Sequence, residues 1–278
     1  MRQSASGVAL ITGGGRGLGR AFAMALARNG MRVAVAARSE DQLEETVRLI
    51  RAEGHEAITV RADVTEKGEA EAMAGRVEAE LGPVDLLVNN AGSGAPYGPT
   101  WELDSSEWWR TVETNLKGPL LCSNAVIPGM VARGPGRIIN VSSGAGTRSI
   151  PYMSAYVTSK AALIRFTEVL AEELRAHGVS VFAIQPGTVR TAMAENLLQS
   201  EAGKRWLPWF QAIFEKGQDD PPERGAALVT YLASGAADAL SGRFFMVPED
   251  PAGIVLRGGE VRERDLYVLR MGRLDHES

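Results

Sequence analysis

The stretch VALITGGGRGLGR, residues 8–20, sets an apolar run directly against a glycine-rich turn and then opens an amphipathic pattern. Glycines at a strand-to-helix junction let the backbone approach a ligand closely, and the first N–H groups of the following helix attract phosphate. The spacing departs from G-x-G-x-x-G: the useful glycines are Gly13, Gly17 and Gly19, in a T-G-x-x-x-G-x-G pattern. Alone, such a turn is a modest signal, and the segments that follow it decide its weight.

Working outward, short apolar runs recur at 8–12, 32–37, 57–62, 84–89, 137–142 and 179–185. Helical patterns lie between them near 17–30, 40–53, 66–81, 105–133 and 152–177, several introduced by Ser, Thr or Asp. Gly30, Gly54, Gly82, Gly134 and Gly178 each stand just before the next apolar run, where a left-handed helix terminus wants them. Continuous apolar strands separated by helices predict an α/β fold, a doubly wound parallel sheet covered on both faces, whose ligands bind at the carboxyl ends of the strands. A last strand is expected at RFFMVP (243–248). The segment from 195 to 236 reads as helical, and the tail from 249 is polar with little periodicity. No internal repeat or linker argues for a second domain, so residues 1–278 are expected to form one unit.

Composition narrows the function classes. A net charge of −4 disfavours nucleic acid or an anionic membrane as the main partner. The basic residues are 25 Arg and only 5 Lys, and they are scattered. The single Cys122 excludes an intramolecular disulfide and a thiolate metal cluster, which fits a reducing compartment, and its apolar surroundings predict a packed thiol. No leader-like segment and no run of ~20 apolar residues is present, so a cytoplasmic location is expected. His55, His177 and His276 lack ligand-like spacing, so no metal site is expected.

In this fold the end of the second strand meets the adenosine ribose, where an acid selects the free 2′-hydroxyl and a base tolerates a 2′-phosphate. Here RVAVAARSED offers Ala37 and then Arg38, with no acid until Glu40. Arg16, inside the glycine turn, is a second guanidinium for the same phosphate. Two bases and a missing acid favour NADP(H), with NAD(H) as the alternative.

Farther along, SAYVTSKAAL (154–163) sets Tyr156 and Lys160 one helical turn apart, side by side whatever their purpose. With TGGGRGLG (12–19), DV (63–64), NNAG (89–92), Asn115, INVSS (139–143) and PGTVRT (186–191) in the same order, the chain closely resembles the short-chain dehydrogenase/reductase family over about residues 6–190. The resemblance implies a Rossmann-like fold and hydride exchange between NAD(P) and a small carbonyl or alcohol substrate. It also implies a homodimer or homotetramer. Carried over by position, Gly13, Gly17 and Gly19, with Leu18 between them, would line the pyrophosphate end, Asp63 and Val64 would face the adenine, and Asn90, Ala91 and Gly92 would close the site. Pro186, Gly187, Val189 and Thr191 would hold the nicotinamide end. Asn115, Ser143, Tyr156 and Lys160 would form a catalytic tetrad; Ser143, not its neighbour Ser142, stands 13 residues before Tyr156, as the family pattern requires.

That chemistry needs a proton for the carbonyl oxygen besides the hydride on carbon. A tyrosine near its ordinary pKa of about 10 is a poor base at neutral pH, so Lys160 is expected to lower it and also to bind the ribose. Ser143 is expected to bond the substrate oxygen. Pro119, four residues after Asn115, leaves the Asn115 carbonyl without its helical N–H, which suggests a held water on a proton relay. Residues 192–220 are expected to form a substrate lid, in which Trp206, Trp209, Phe210 and Phe214 either line the substrate side or serve ordinary packing. Tyr97, Tyr152 and Met153 are candidates to face substrate, and Trp101, Trp108 and Trp109 to serve packing or subunit contact. The rival readings are a cofactor-binding regulator without turnover, and an epimerase or dehydratase using the same tetrad.

Overall fold

The protein is described here by a computed structural model covering residues 7–247 and 249–271; His276, Pro248 and the end of the tail lie outside the described residues. Seven parallel strands, β1 (Val8–Thr12), β2 (Arg32–Ala37), β3 (Ala57–Arg61), β4 (Val84–Asn89), β5 (Gly136–Val141), β6 (Val179–Gln185) and β7 (Phe244–Met246), form one sheet in the order β3-β2-β1-β4-β5-β6-β7. The order reverses between β1 and β4, which opens a crevice at their carboxyl ends.

Period-two alternation along the strands feeds two cores. Ala9, Ile11, Val33 and Val35 face a layer with Phe22, Leu26, Leu43 and Leu232. Val8, Leu10, Ala34 and Ala36 face the opposite layer with Met73, Val77, Cys122 and Met130. The first layer comprises α1 (Gly17–Arg28), α2 (Glu40–Ala52) and, later in the chain, Pro222–Ala233; the second comprises α3 (Lys67–Leu81) and Gly118–Arg133. Cys122 is buried, and its surroundings push the thiol up to about 12, so it packs as an apolar side chain. Gly178 adopts the left-handed conformation expected of it, φ 70° and ψ 17°, and the other four glycines named with it also have positive φ.

Three segments differ from expectation. The pattern at 105–133 divides into α4 (Ser105–Val112), a π-helical turn at Glu113–Lys117, and α5 (Gly118–Arg133). After α6 (Ser154–Leu174), the helical stretch from 195 resolves into α7 (Ala192–Gln199), α8 (Glu201–Trp206), α9 (Pro208–Glu215) and α10 (Pro222–Ala233), because Ser200 and Pro208 each start a new helix. The tail contains α11 (Pro251–Leu256) and α12 (Gly258–Glu263), which add Ile254 and Val261 to the first core. Asp250 caps α11 by accepting from the Ala252 and Gly253 N–H groups.

Candidate active site

At the carboxyl end of β1, Gly13 (φ 64°) and Gly17 (φ 54°) turn the chain into α1. A Cβ on Gly19 would lie 2.2 Å from the Gly13 carbonyl oxygen, so only glycine permits this closure. The turn is held from both sides. Asn90 Nδ2 donates to the carbonyls of Thr12 (3.0 Å) and Gly13 (3.3 Å), while Thr12 Oγ1 accepts from the N–H groups of Asn90 and Ala91. Arg20 Nη2 and Thr46 Oγ1 both donate to the Gly15 carbonyl. The first turn of α1 carries no side-chain cap, so its N–H groups face the crevice beside an exposed Arg16. This bare, uncapped cradle fits a pyrophosphate.

Arg38, at the end of β2, is 80% exposed and stands 3.7 Å from Asp63 Oδ2. Partial burial works to raise the Asp63 pKa, but the N–H and hydroxyl of Thr65 and the Arg38 charge outweigh it and hold the carboxyl below its ordinary range. Leu18 and Val64 lean into the two cores, Val64 being 7% exposed, so at these positions the backbone rather than the side chain faces the crevice.

The end of β5 and the start of α6 bring the next group together. Ser142 is buried and its hydroxyl donates to the Lys160 carbonyl at 2.9 Å, whereas Ser143 starts a short 3₁₀ turn and lies beside Tyr156. Burial pushes the Tyr156 pKa up, and the Ser143 hydroxyl acts in the opposite, lowering sense. Lys160 is 4% exposed; desolvation lowers its pKa to about 8, and Nζ donates to the Val141 carbonyl at 2.8 Å. Nζ lies 5.7 Å from the centre of the Tyr156 ring.

Asn115 sits in the π-helical turn, fully buried. The Gly118 N–H bonds the Glu113 carbonyl, and Pro119, the next residue of this continuous helical backbone, has no N–H to return to the turn that carries Asn115. The Asn115 side chain ties three segments: Oδ1 accepts from the Ser93 N–H, and Nδ2 donates to the Ser93 carbonyl and to Ser159 Oγ. On the far side, Thr191 caps α7, Pro186 is buried, Val189 is half-buried, and Asp220 holds the segment by accepting from the Thr188 N–H at 2.9 Å. Gly187, at φ 95°, approaches Asp220 so closely that a Cβ would meet it at 2.8 Å.

Over Tyr156, the helices α7 to α9 meet the loop after β4. Met153, Leu197 and Leu207 form an apolar cluster with Tyr97, Tyr156, Trp206 and Phe210. Trp206 stacks on Tyr152 with ring centres 4.6 Å apart. Phe214, buried under Arg190, and Trp209, 41% exposed, reach the cluster only through Phe210, whose ring each meets edge-on at 5.3 and 5.7 Å. Trp108 packs and donates to Ser154 Oγ, while Trp101 and Trp109 are exposed.

The sequence did not announce Arg20, Thr46 or Asp220, which act through backbone carbonyls and N–H groups and carry no motif spacing. A buried polar ladder was also missed. Asn89 Nδ2 donates to Asn140 Oδ1, and Asn140 Nδ2 to Thr167 Oγ1, joining β4, β5 and α6 behind the site. Asparagines ending otherwise apolar strands were its only visible sign. Among the described residues no cluster of metal-ligating side chains occurs, and no helix is long and apolar enough to cross a membrane.

Fold and site together define a Rossmann-like oxidoreductase of one domain. The short chain dehydrogenase family model matches residues 7–202, and the chain belongs to that family. A short chain dehydrogenase of Pseudocercospora fijiensis is 44% identical over 277 residues, covering 96% of this chain and 89% of its own. The 3-oxoacyl-[acyl-carrier-protein] reductase of Synechocystis is 37% identical, covering 86% and 94%. A variant of actinorhodin polyketide ketoreductase, solved with NADPH, superposes with a TM-score of 0.80 at 35% identity, covering 89% of this chain and 97% of that one.

Proposed function

We propose that the protein is an NADPH-dependent reductase of ketones or aldehydes. The observation that carries this reading is geometric: the Tyr156 hydroxyl meets the Ser143 hydroxyl at the carboxyl end of β5, with Lys160 one helical turn behind, so that a carbonyl oxygen placed between the two hydroxyls finds a proton donor and a second hydrogen bond. Bound at the crevice, a nicotinamide dinucleotide supplies the hydride. Gly13, Gly17, Leu18 and Gly19 and the first turn of α1 hold its pyrophosphate, Asp63 and Val64 border the adenine, and Asn90, Ala91 and Gly92 close the site. Pro186, Gly187, Val189, Thr191 and Lys160 hold the nicotinamide end. Ser143 donates to the substrate oxygen and steadies the charge that develops there. Lys160, mostly protonated at pH 7, stands behind Tyr156, and Asn115 keeps a water on the route by which the tyrosine recovers its proton.

Arg16 and Arg38 support the choice of NADPH. Both are exposed at the ends of β1 and β2, and Asp63 orients Arg38 without burying it. The lid is formed by residues 192–220. The relatives that reduce oxoacyl and polyketide carbonyls support reduction as the direction.

The test is NADPH oxidation over a ketone and aldehyde panel, with Tyr156→Phe alongside. Turnover by the wild type that falls by about 10²–10⁴ in the variant, with NADPH binding preserved, is the expected result. Full activity in Tyr156→Phe, or no oxidation across the panel, sinks the reading. A kcat/KM favouring NADH sinks the cofactor assignment.

A further inference from the structure

The loop from Ser93 to Gly98 is pinned at three points. Asn115 holds both backbone groups of Ser93, Thr111 Oγ1 donates to the Ala95 carbonyl, and the Gly98 N–H donates to the Tyr152 carbonyl at 2.9 Å. A loop fixed this way presents its one large side chain, Tyr97, in a set place. The Tyr97 ring packs in the same cluster as Tyr156, Met153 and Trp206. Its hydroxyl lies directly over Gly94, where a Cβ would come within 2.6 Å of Oη; Met193 of α7 crosses the same glycine, with its sulfur 3.3 Å from that position. Gly94 thus makes room for a phenol beside the apolar cluster that covers Tyr156.

We propose that Tyr97 determines specificity, its hydroxyl donating a hydrogen bond to a second oxygen of the substrate, so that the preferred substrates are ketones bearing another carbonyl or hydroxyl oxygen a few bonds from the reacting carbon. This rests on the reductase reading of Tyr156. Burial and the neighbouring Tyr156 both push the Tyr97 pKa up, so the phenol remains a donor across the working pH range. A site built to bond a substrate oxygen discriminates against analogues that lack it, because a donor covered by the bound analogue is then left without a partner.

The experiment compares 2,2-dimethylcyclohexane-1,3-dione, which cannot enolise between its carbonyls, with 2,2-dimethylcyclohexanone. Wild type and Tyr97→Phe are assayed by NADPH oxidation. The ratio of kcat/KM for dione over monoketone is expected to fall about tenfold in Tyr97→Phe, chiefly through KM. Gly94→Ala, which drives a methyl against Oη, is expected to lower the same ratio. An unchanged ratio in Tyr97→Phe overturns the proposal. Should neither ketone be reduced, the reductase reading fails for these substrates, while dione binding followed by tryptophan fluorescence still decides the role of Tyr97. A Kd weakened about tenfold in Tyr97→Phe supports it, and an equal Kd overturns it.

Discussion

Asn115 and Ser93 exchange two hydrogen bonds, each 2.8 Å: the asparagine amide mimics a peptide and pairs with both backbone groups of the serine. A third bond, from Asn115 Nδ2 to Ser159 Oγ, joins the pair to α6. Asn115→Ala leaves the half-buried Ser93 N–H and carbonyl without these partners and opens a gap at a fully buried position. It is expected to lower stability by about 2–4 kcal/mol in urea unfolding. Stability within about 0.5 kcal/mol of wild type would show that the loop finds other partners.

Two glycines separate crowding from propensity. Gly19→Ala sets a methyl against the Gly13 carbonyl and is expected to abolish NADPH binding measured by fluorescence, while costing roughly 3 kcal/mol. Gly75→Ala, on an exposed turn of α3 with nothing within 4 Å, is expected to add about 1 kcal/mol. Equal effects from the two would refute the steric account.

Lys160 makes stability depend on pH with an identifiable sign. Its pKa is about 8 in the fold against an ordinary 10.5, so between these values the unfolded chain binds the extra proton and stability rises with pH. Below pH 8 the burial cost, about 3 kcal/mol, is present in full. Lys160→Met is therefore expected to be more stable than wild type at pH 7 by about 1–3 kcal/mol, with the advantage shrinking by pH 10. A variant less stable at pH 7 would contradict this account.

Arg38→Ala tests the ribose end. Loss of a phosphate partner is expected to lower kcat/KM for NADPH by about tenfold and leave the NADH value nearly level. Equal losses with both cofactors would instead implicate the Arg38–Asp63 pair in holding the adenine end.

Glu168 anchors the tail. Its carboxylate accepts from the Leu269 N–H, Arg165 and Arg270. Glu168→Ala is expected to hasten tryptic cleavage near Arg270 by about tenfold, with the far-ultraviolet spectrum retained. Cleavage at the wild-type rate would show that the remaining contacts suffice.

Much of the architecture was legible from VALITGGGRGLGR outward, because six buried strands read as continuous apolar runs and five of them were preceded by turn glycines. The seventh is only Phe244–Met246, and the sequence overran it. Short helices were harder: α11 and α12 have six residues each, too few to display a 3.6-residue period, and Gly253, Gly258 and Gly259 dilute what there is. Motif order could single out Tyr156, Lys160 and Ser143, since spacing along one helix or after one strand survives in a linear text. It could not reveal that Lys160 turns toward the Val141 carbonyl, or that Asp220 braces the segment around Thr188, because those partners are 19 and 32 residues distant.

The tail has one further consequence. The Phe244 N–H, on the outer side of β7, is already taken by the Tyr267 carbonyl, and Arg243 grips Asp265 beside it. Any strand arriving to extend the sheet from that side must displace a tethered rival whose effective concentration is in the millimolar range. The tail thus occupies a hydrogen-bonding position that a pairing strand would otherwise use, and cutting the chain before Asp265 is expected to leave the Phe244 N–H open.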